Sequence, residues 1–181
     1  TGTSRKVTVD NGANVVLSAN QTTSFLLATA DENDSITLST GDNNGTSTAT
    51  PTITTATLDL TGVAGGNAGT VNIIAETGNL NITSATTGVA AKTDIIVSGS
   101  KNVSLGTVTA NKVDATALTG KLTLSTSTTV KTVDSGSGAD TITVGTGTNT
   151  ITGGVGADKI NLTGGTVVDT LKYAAGDSTS T

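Results

Sequence analysis

Ser135-Gly-Ser-Gly-Ala-Asp-Thr-Ile-Thr143, Val144-Gly-Thr-Gly-Thr-Asn-Thr-Ile-Thr152 and Gly153-Gly-Val-Gly-Ala-Asp-Lys-Ile-Asn161 are three consecutive nine-residue units in register. After two inserted residues, Leu162-Thr163, a fourth follows as Gly164-Gly-Thr-Val-Val-Asp-Thr-Leu-Lys172. Each position has a physical task. The glycines (Gly136 and Gly138, Gly145 and Gly147, Gly153, Gly154 and Gly156) permit φ > 0, so the backbone turns tightly and its carbonyls are free to face an ion. Asp140 and Asp158 supply the anionic oxygens that a hard cation requires. Ile142, Ile151, Ile160 and Leu171 each start a short strand and point inward, so turn, ligand and core share one period. A single unit of this kind would be an ordinary polar turn. Three in register point to calcium.

Outward from this stretch, composition indicates an all-β chain. Of 181 residues, 34% are apolar, yet there is one Tyr, one Phe and no Trp or Met. Small branched side chains fill a thin, repetitive core better than a thick one. Thr is the commonest residue and favours strands through its branched Cβ. Short candidate strands run Lys6–Val9, Asn14–Leu17, Ser24–Leu27, Ser35–Leu38 and Thr55–Leu60. A tighter series follows at Val71–Ile74, Leu80–Ile82, Asp94–Val97, Asn102–Leu105, Val113–Ala115, Lys121–Leu124 and Val130–Val133. The polar stretches Ser39–Pro51 and Gly62–Gly69 read as loops. Anchors nine or ten residues apart (Val103, Val113, Leu122) suit a parallel β-solenoid or β-roll. They also suit a β-sandwich; the nonapeptides favour the solenoid. The expected organisation is an N-terminal β region over 1–70 (solenoid or sandwich), a β-solenoid over 71–133, a β-roll over 134–172 and the start of a cap over 173–181.

Several function classes are disfavoured. Net charge is −5, with nine basic residues spread along the chain, whereas nucleic acid needs a clustered basic face. No 18-residue apolar run marks a membrane span. There is no signal peptide to read, and the opening Thr1-Gly2-Thr3 without Met reads as a piece of something longer. Cysteine is absent, so an exported chain of this kind would draw stability from something other than disulfides, and metal ions are the obvious substitute. With no His, the usual Ser-His-Asp and zinc arrangements are excluded. Gly120-Lys121 is followed by Leu122 and completes no phosphate loop. Paired carboxylates without aromatic sugar platforms make a poor glycosidase. No enzyme is expected. Asp31-Glu32-Asn33-Asp34, before Ser35-Ile36, faintly echoes the repeat but lacks its glycines and reads as a solvated turn; Asp42 with Asn43 and Asn44 is weaker still.

The third nonapeptide matches the RTX consensus, G-G-x-G-x-D-x-U-x with U apolar, at every defined position. The array resembles the calcium-binding β-roll of RTX proteins, whose turns alternate between two sides and hold an ion between turn n and turn n+2. Carried over, Asp140 and Asp158 share one side with Gly136, Gly138, Gly154 and Gly156. Asn149 and Asp169 share the other with Gly145 and Gly147. There Asn149 is neutral and Val167 replaces a glycine, so the resemblance implies one good calcium site and a weaker or absent second. Asp134 is a candidate extra ligand. The string Val113-Asp-Ala-Thr-Ala-Leu-Thr-Gly-Lys-Leu-Thr-Leu124, leading into Asp134–Ile142, resembles the S-layer proteins of Gram-negative bacteria that carry such repeats and leave by type I secretion. Val168-Asp-Thr-Leu-Lys-Tyr-Ala-Ala-Gly-Asp177 resembles the segment that caps such arrays. This family implies a secreted structural subunit at the cell surface, folded outside by calcium. It self-associates into a two-dimensional lattice and contacts cell-surface polysaccharide, with no nucleic acid and no membrane insertion. An RTX adhesin module and an ice- or carbohydrate-binding β-roll are the rival readings.

Overall fold

Strict alternation of inward apolar and outward polar residues, as in Leu122–Thr126, lets a strand bury one face and wet the other. Coils of such strands bury that face only by stacking on one another. The computed structural model, which describes residues 5–9, 12–17, 23–27, 34–41, 52–55, 57–60, 68–87, 93–162, 166–173 and 177, is a parallel β-solenoid built this way. Numbered in chain order, one sheet holds β1 (Arg5–Val9), β3 (Thr23–Leu27), β6 (Thr57–Leu60), β9 (Ser84–Thr87), β11 (Val103–Thr109), β13 (Leu122–Thr126), β15 (Thr141–Val144) and β17 (Lys159–Leu162). Beside that path, β5 (Thr52–Thr55) pairs with β8 (Asn79–Ile82), and β8 with β11. The second sheet holds β2 (Ala13–Leu17), β4 (Asp34–Thr40), β7 (Ala68–Ala75), β10 (Asp94–Gly99), β12 (Lys112–Leu118), β14 (Thr132–Asp134), β16 (Thr150–Thr152) and β18 (Thr170–Lys172).

Every pairing between these strands is parallel, which rules out the sandwich. Strands β1 to β4 enter the same two sheets as the C-terminal coils. In the first sheet Leu124 aligns with Ile142 and Ile142 with Ile160, 18 residues apart each time. In the second, Val113, Val133, Ile151 and Leu171 align at intervals of 20, 18 and 20. Two nonapeptides therefore make one coil, and the Leu162-Thr163 insertion lengthens the last. The spacing of nine or ten is half a coil: Val103 and Leu122 pair in one sheet while Val113 stands in the other.

The core between the sheets is a stack of aliphatic rows. Ile95, Val97, Leu105, Val113, Leu118, Leu122, Val133, Ile142 and Ile151 are fully buried, whereas Ile160 and Leu171 in the last coil are only partly covered. The sequence reading misses β9, whose Ser-Ala-Thr-Thr carries no alternation of large apolar residues. It also places a strand at Val130–Val133, where Val130 is a buried corner residue and the strand is Thr132–Asp134. Gly106 marks a register shift in β11: φ is +57°, and a Cβ there would come within 1.8 Å of the Thr83 carbonyl oxygen. Only glycine fits. Residues 42–51 and 61–67, and with them most of both expected loops, Asp42 and the Asp31-Glu32-Asn33 stretch, lie outside the described residues. Among the described residues no helix is long and apolar enough to cross a membrane.

Leu122→Ala, in the fully buried middle of the stack, is expected to cost about 2–5 kcal/mol in urea unfolding. Leu171→Ala, at the half-covered end, should cost distinctly less; equal losses would contradict a core that thins toward β18.

Candidate metal centre

The expected alternation of turns is realised. Turn 153–158 stacks directly on turn 135–140: a Cβ on Gly154 would lie 2.0 Å from the Gly136 carbonyl oxygen, and one on Gly156 would lie 2.3 Å from that of Gly138. Gly154 also sits at φ +81°. Glycine is thus required twice over, for conformation and for the close approach of backbone to backbone. The carbonyls of one turn face the backbone of the next.

Asp140 lies within this stack, only 1% exposed. One carboxylate oxygen accepts from the Leu122 amide at 2.7 Å, and the other accepts from the Ser135 hydroxyl. The Asp140 amide donates to Asp158 Oδ1 at 2.9 Å. Asp158 Oδ2 is buried and has no hydrogen-bond partner. It stands against Gly153, where a Cβ would come within 2.7 Å of it. Asp177 bridges to Val155 and Gly156, and its charge reaches Asp158. A cavity of about 210 Å³ opens here, lined by Gly153, Asp158, Ile160, Leu162, Leu171, Tyr173 and Asp177.

The opposite side is built differently. Asn149, also 1% exposed, receives its shape from Asp169: its amide donates to Asp169 Oδ1 at 3.0 Å, and its side-chain Nδ2 donates to the same oxygen at 3.2 Å and to the Gly147 carbonyl. Asn149 Oδ1 is left buried and unpartnered. Gly145 and Gly147 pack onto the Thr126 and Thr128 carbonyls, so the turn beneath them carries no glycine pair. Asp134 joins neither row. On β14, its carboxylate meets Lys112 Nζ at 3.2 Å and accepts from Thr152 Oγ1 at 3.0 Å. Lys112 also reaches Asp114 at 2.9 Å. Burial alone would raise the Asp114 pKa, but hydrogen bonds from Lys112 and Thr116 outweigh it and hold the carboxyl below its ordinary value.

Sequence reasoning missed Ser135 and Asp177. Ser135 occupies a position where the nonapeptide has glycine, and Asp177 follows Asp158 at nearly the coil period, the one signal that pointed to it. Among the described residues no group of three or more acidic side chains is arranged to hold a metal by itself. A cation at the first stack would therefore draw on Asp158 Oδ2 and on carbonyl oxygens of the glycine turns. Oxygen donors of this mixed kind suit a hard ion such as calcium. Two unpartnered buried oxygens, one on each side of the coil, are the features such an ion would relieve, since an orphaned buried acceptor is costly. The chain matches no family model, no curated protein and no solved structure.

Burial pushes the Asp140 carboxyl above its ordinary pKa, and the Asp158 charge adds to this against hydrogen bonds from Leu122, Ser135 and Gly136. Burial and then Asp177 raise Asp158, against the Asp140 amide. Both folded-state values exceed the unfolded ones. The metal-free turns thus gain stability that is complete below the ordinary carboxylate pKa and is lost as pH rises through the raised values. In chelator, the melting temperature should climb as pH falls from neutral toward about 4; a flat or falling profile in circular dichroism would count against this assignment. With calcium present the sign reverses, because the ion needs ionised carboxylates.

Proposed function

We propose that this chain is a structural subunit of a calcium-dependent bacterial surface layer, secreted and folded outside the cell. The observation that carries the reading is the buried, unpartnered Asp158 Oδ2 within stacked Gly/Asp turns that match the RTX nonapeptide. A hard cation there would compensate Asp158 and tie two successive coils together. Sites of extracellular type bind calcium with Kd on the order of 10⁻⁴–10⁻³ M. At millimolar calcium each contributes roughly 0.5–1.5 kcal/mol of folding stability. A chain kept open where calcium is scarce and ordered where it is plentiful suits export before folding.

No enzymatic role is proposed.

One observation favours a second reading, an adhesin module that binds glycans. Outward positions of the first sheet from β11 to β15 (Ser104, Thr107, Thr109, Thr123, Ser125, Thr141 and Thr143) all bear hydroxyls and no charge. Such a face offers regular hydrogen bonding to a neutral polysaccharide.

Electron microscopy with and without calcium separates the two. Ordered sheets that dissolve in chelator support the coat; calcium-loaded monomers retained on a glycan matrix support the adhesin. Asp158→Ala should weaken apparent calcium affinity by at least about tenfold, with Asp134→Ala close to unchanged. Equal losses would break the site assignment.

A further inference from the structure

A groove of about 250 Å³ crosses three neighbouring coils where the first sheet meets its corner, outside the Gly/Asp repeats. One wall is the corner ridge of Asn79, Asn102 and Lys121; the other is the outward column of Asn81, Ser104 and Thr123 on β8, β11 and β13. Leu80 and Val103, whose side chains are buried, lie between the walls. Parallel strands stand 4.7–4.9 Å apart, so the three coils span about 10 Å, the length of a disaccharide. Among the described residues that line the groove, Lys121 is the one cation and there is no carboxylate.

The ridge is oriented by its own hydrogen bonds. Asn79 Oδ1 accepts from the Asn102 amide at 3.0 Å, and Asn102 Oδ1 accepts from the Lys121 amide at 2.9 Å. Each carboxamide is thus pinned by its oxygen to the next coil, and its Nδ2 is left as the available donor. Among the described residues neither Nδ2 meets an acceptor, and exposed Lys121 forms no ion pair. The ridge therefore offers donors in a row, two carboxamides and then an ammonium, with its acceptors already used. Ser104 and Thr123 on the facing wall can donate or accept. The outward face of the second sheet is the electrostatic opposite: Asp94, Asp114 and Asp134 stand there, and Lys112 bridges the last two.

We infer that this groove binds an acidic polysaccharide carrying about one carboxylate per disaccharide. The carboxylate pairs with Lys121, and the neutral sugar lies along the Asn102 and Asn79 carboxamides. A donor ridge with a single charge suits a chain rich in acceptor oxygens but sparsely charged. At net −5, the protein repels a polymer that is charged on every residue. The inference goes beyond the coat reading, because the groove needs neither calcium ligands nor a lattice. It also differs in place and charge from the hydroxyl face of the adhesin reading.

Calorimetric titration of the calcium-loaded full chain tests it, in about 0.15 M salt to screen long-range attraction. The probes are hyaluronate oligosaccharides, which alternate a uronate with a neutral sugar, dextran, which is uncharged, and dextran sulfate. Hyaluronate should bind best. Lys121→Gln should weaken it about tenfold. Asn102→Asp keeps an oxygen for the Lys121 amide but replaces the Nδ2 donor with an anionic oxygen, and should weaken binding at least as much with the melting temperature unchanged. Lys131→Gln, on another corner, should leave affinity as it was. Wild-type affinity in both K121Q and N102D overturns the inference. Equal affinity for dextran and hyaluronate overturns it in favour of the neutral hydroxyl face, and tightest binding of dextran sulfate marks unspecific attraction and overturns it too. Failure to bind any of the three also overturns it, while calcium-dependent folding and sheet formation in electron microscopy stand or fall separately.

Discussion

Stacking of aliphatic side chains in register across parallel strands is the constraint on which everything else in this molecule depends. A strand of three to five residues buries one to three side chains and has no independent stability. It becomes stable only when the next coil places an equivalent residue directly above, as Ile142 stands on Leu124 and Ile160 on Ile142. Such a core is one or two side chains thick, which is why aromatic residues are nearly absent and Val, Ile and Leu suffice. Because each coil touches only its neighbours, stability is set coil by coil.

The turns answer a second constraint: backbone groups at the corners must be paired without a helix or a hairpin. Asx side chains do this by reaching to the adjacent coil, as at Asn102 and Asp140. Where the side chain is Asn, the pairing carries no charge. Where it is Asp, the pairing leaves anionic oxygens packed against glycine backbone with burial pushing their pKa upward. The same geometry that closes the corner thus creates an electrostatic demand for a proton or a cation. Structural economy and ion affinity arise from one arrangement.

Much of this was legible in the residues. The nonapeptide period announced the inward Ile142 and Ile151, and the RTX resemblance implied the alternating turns and the shared side of Asp140 and Asp158. Less legible were the partners. Asp134 looked like a turn ligand because it adjoins the first unit, but it stands on β14 beside β12, and Lys112 of that neighbouring strand claims its carboxylate. Ser135 was invisible because a hydroxyl in a glycine position signals nothing until its distance to Asp140 is known. β9 was missed because Ser-Ala-Thr-Thr is held in the sheet by its neighbours β6 and β11, not by its own pattern.

By itself, the sequence determined that the chain is all-β and which side chains of the repeats point into the core, because periodicity is a local property written in residue order; that two nonapeptides make one coil was implied by the RTX resemblance and is shown by the strand register. Only the tertiary structure decided which carboxylate oxygen is left unpartnered and which Asp is spent on a lysine. Those outcomes depend on residues about 18 positions apart meeting at hydrogen-bond distance, and such meetings are set by the stacking of coils.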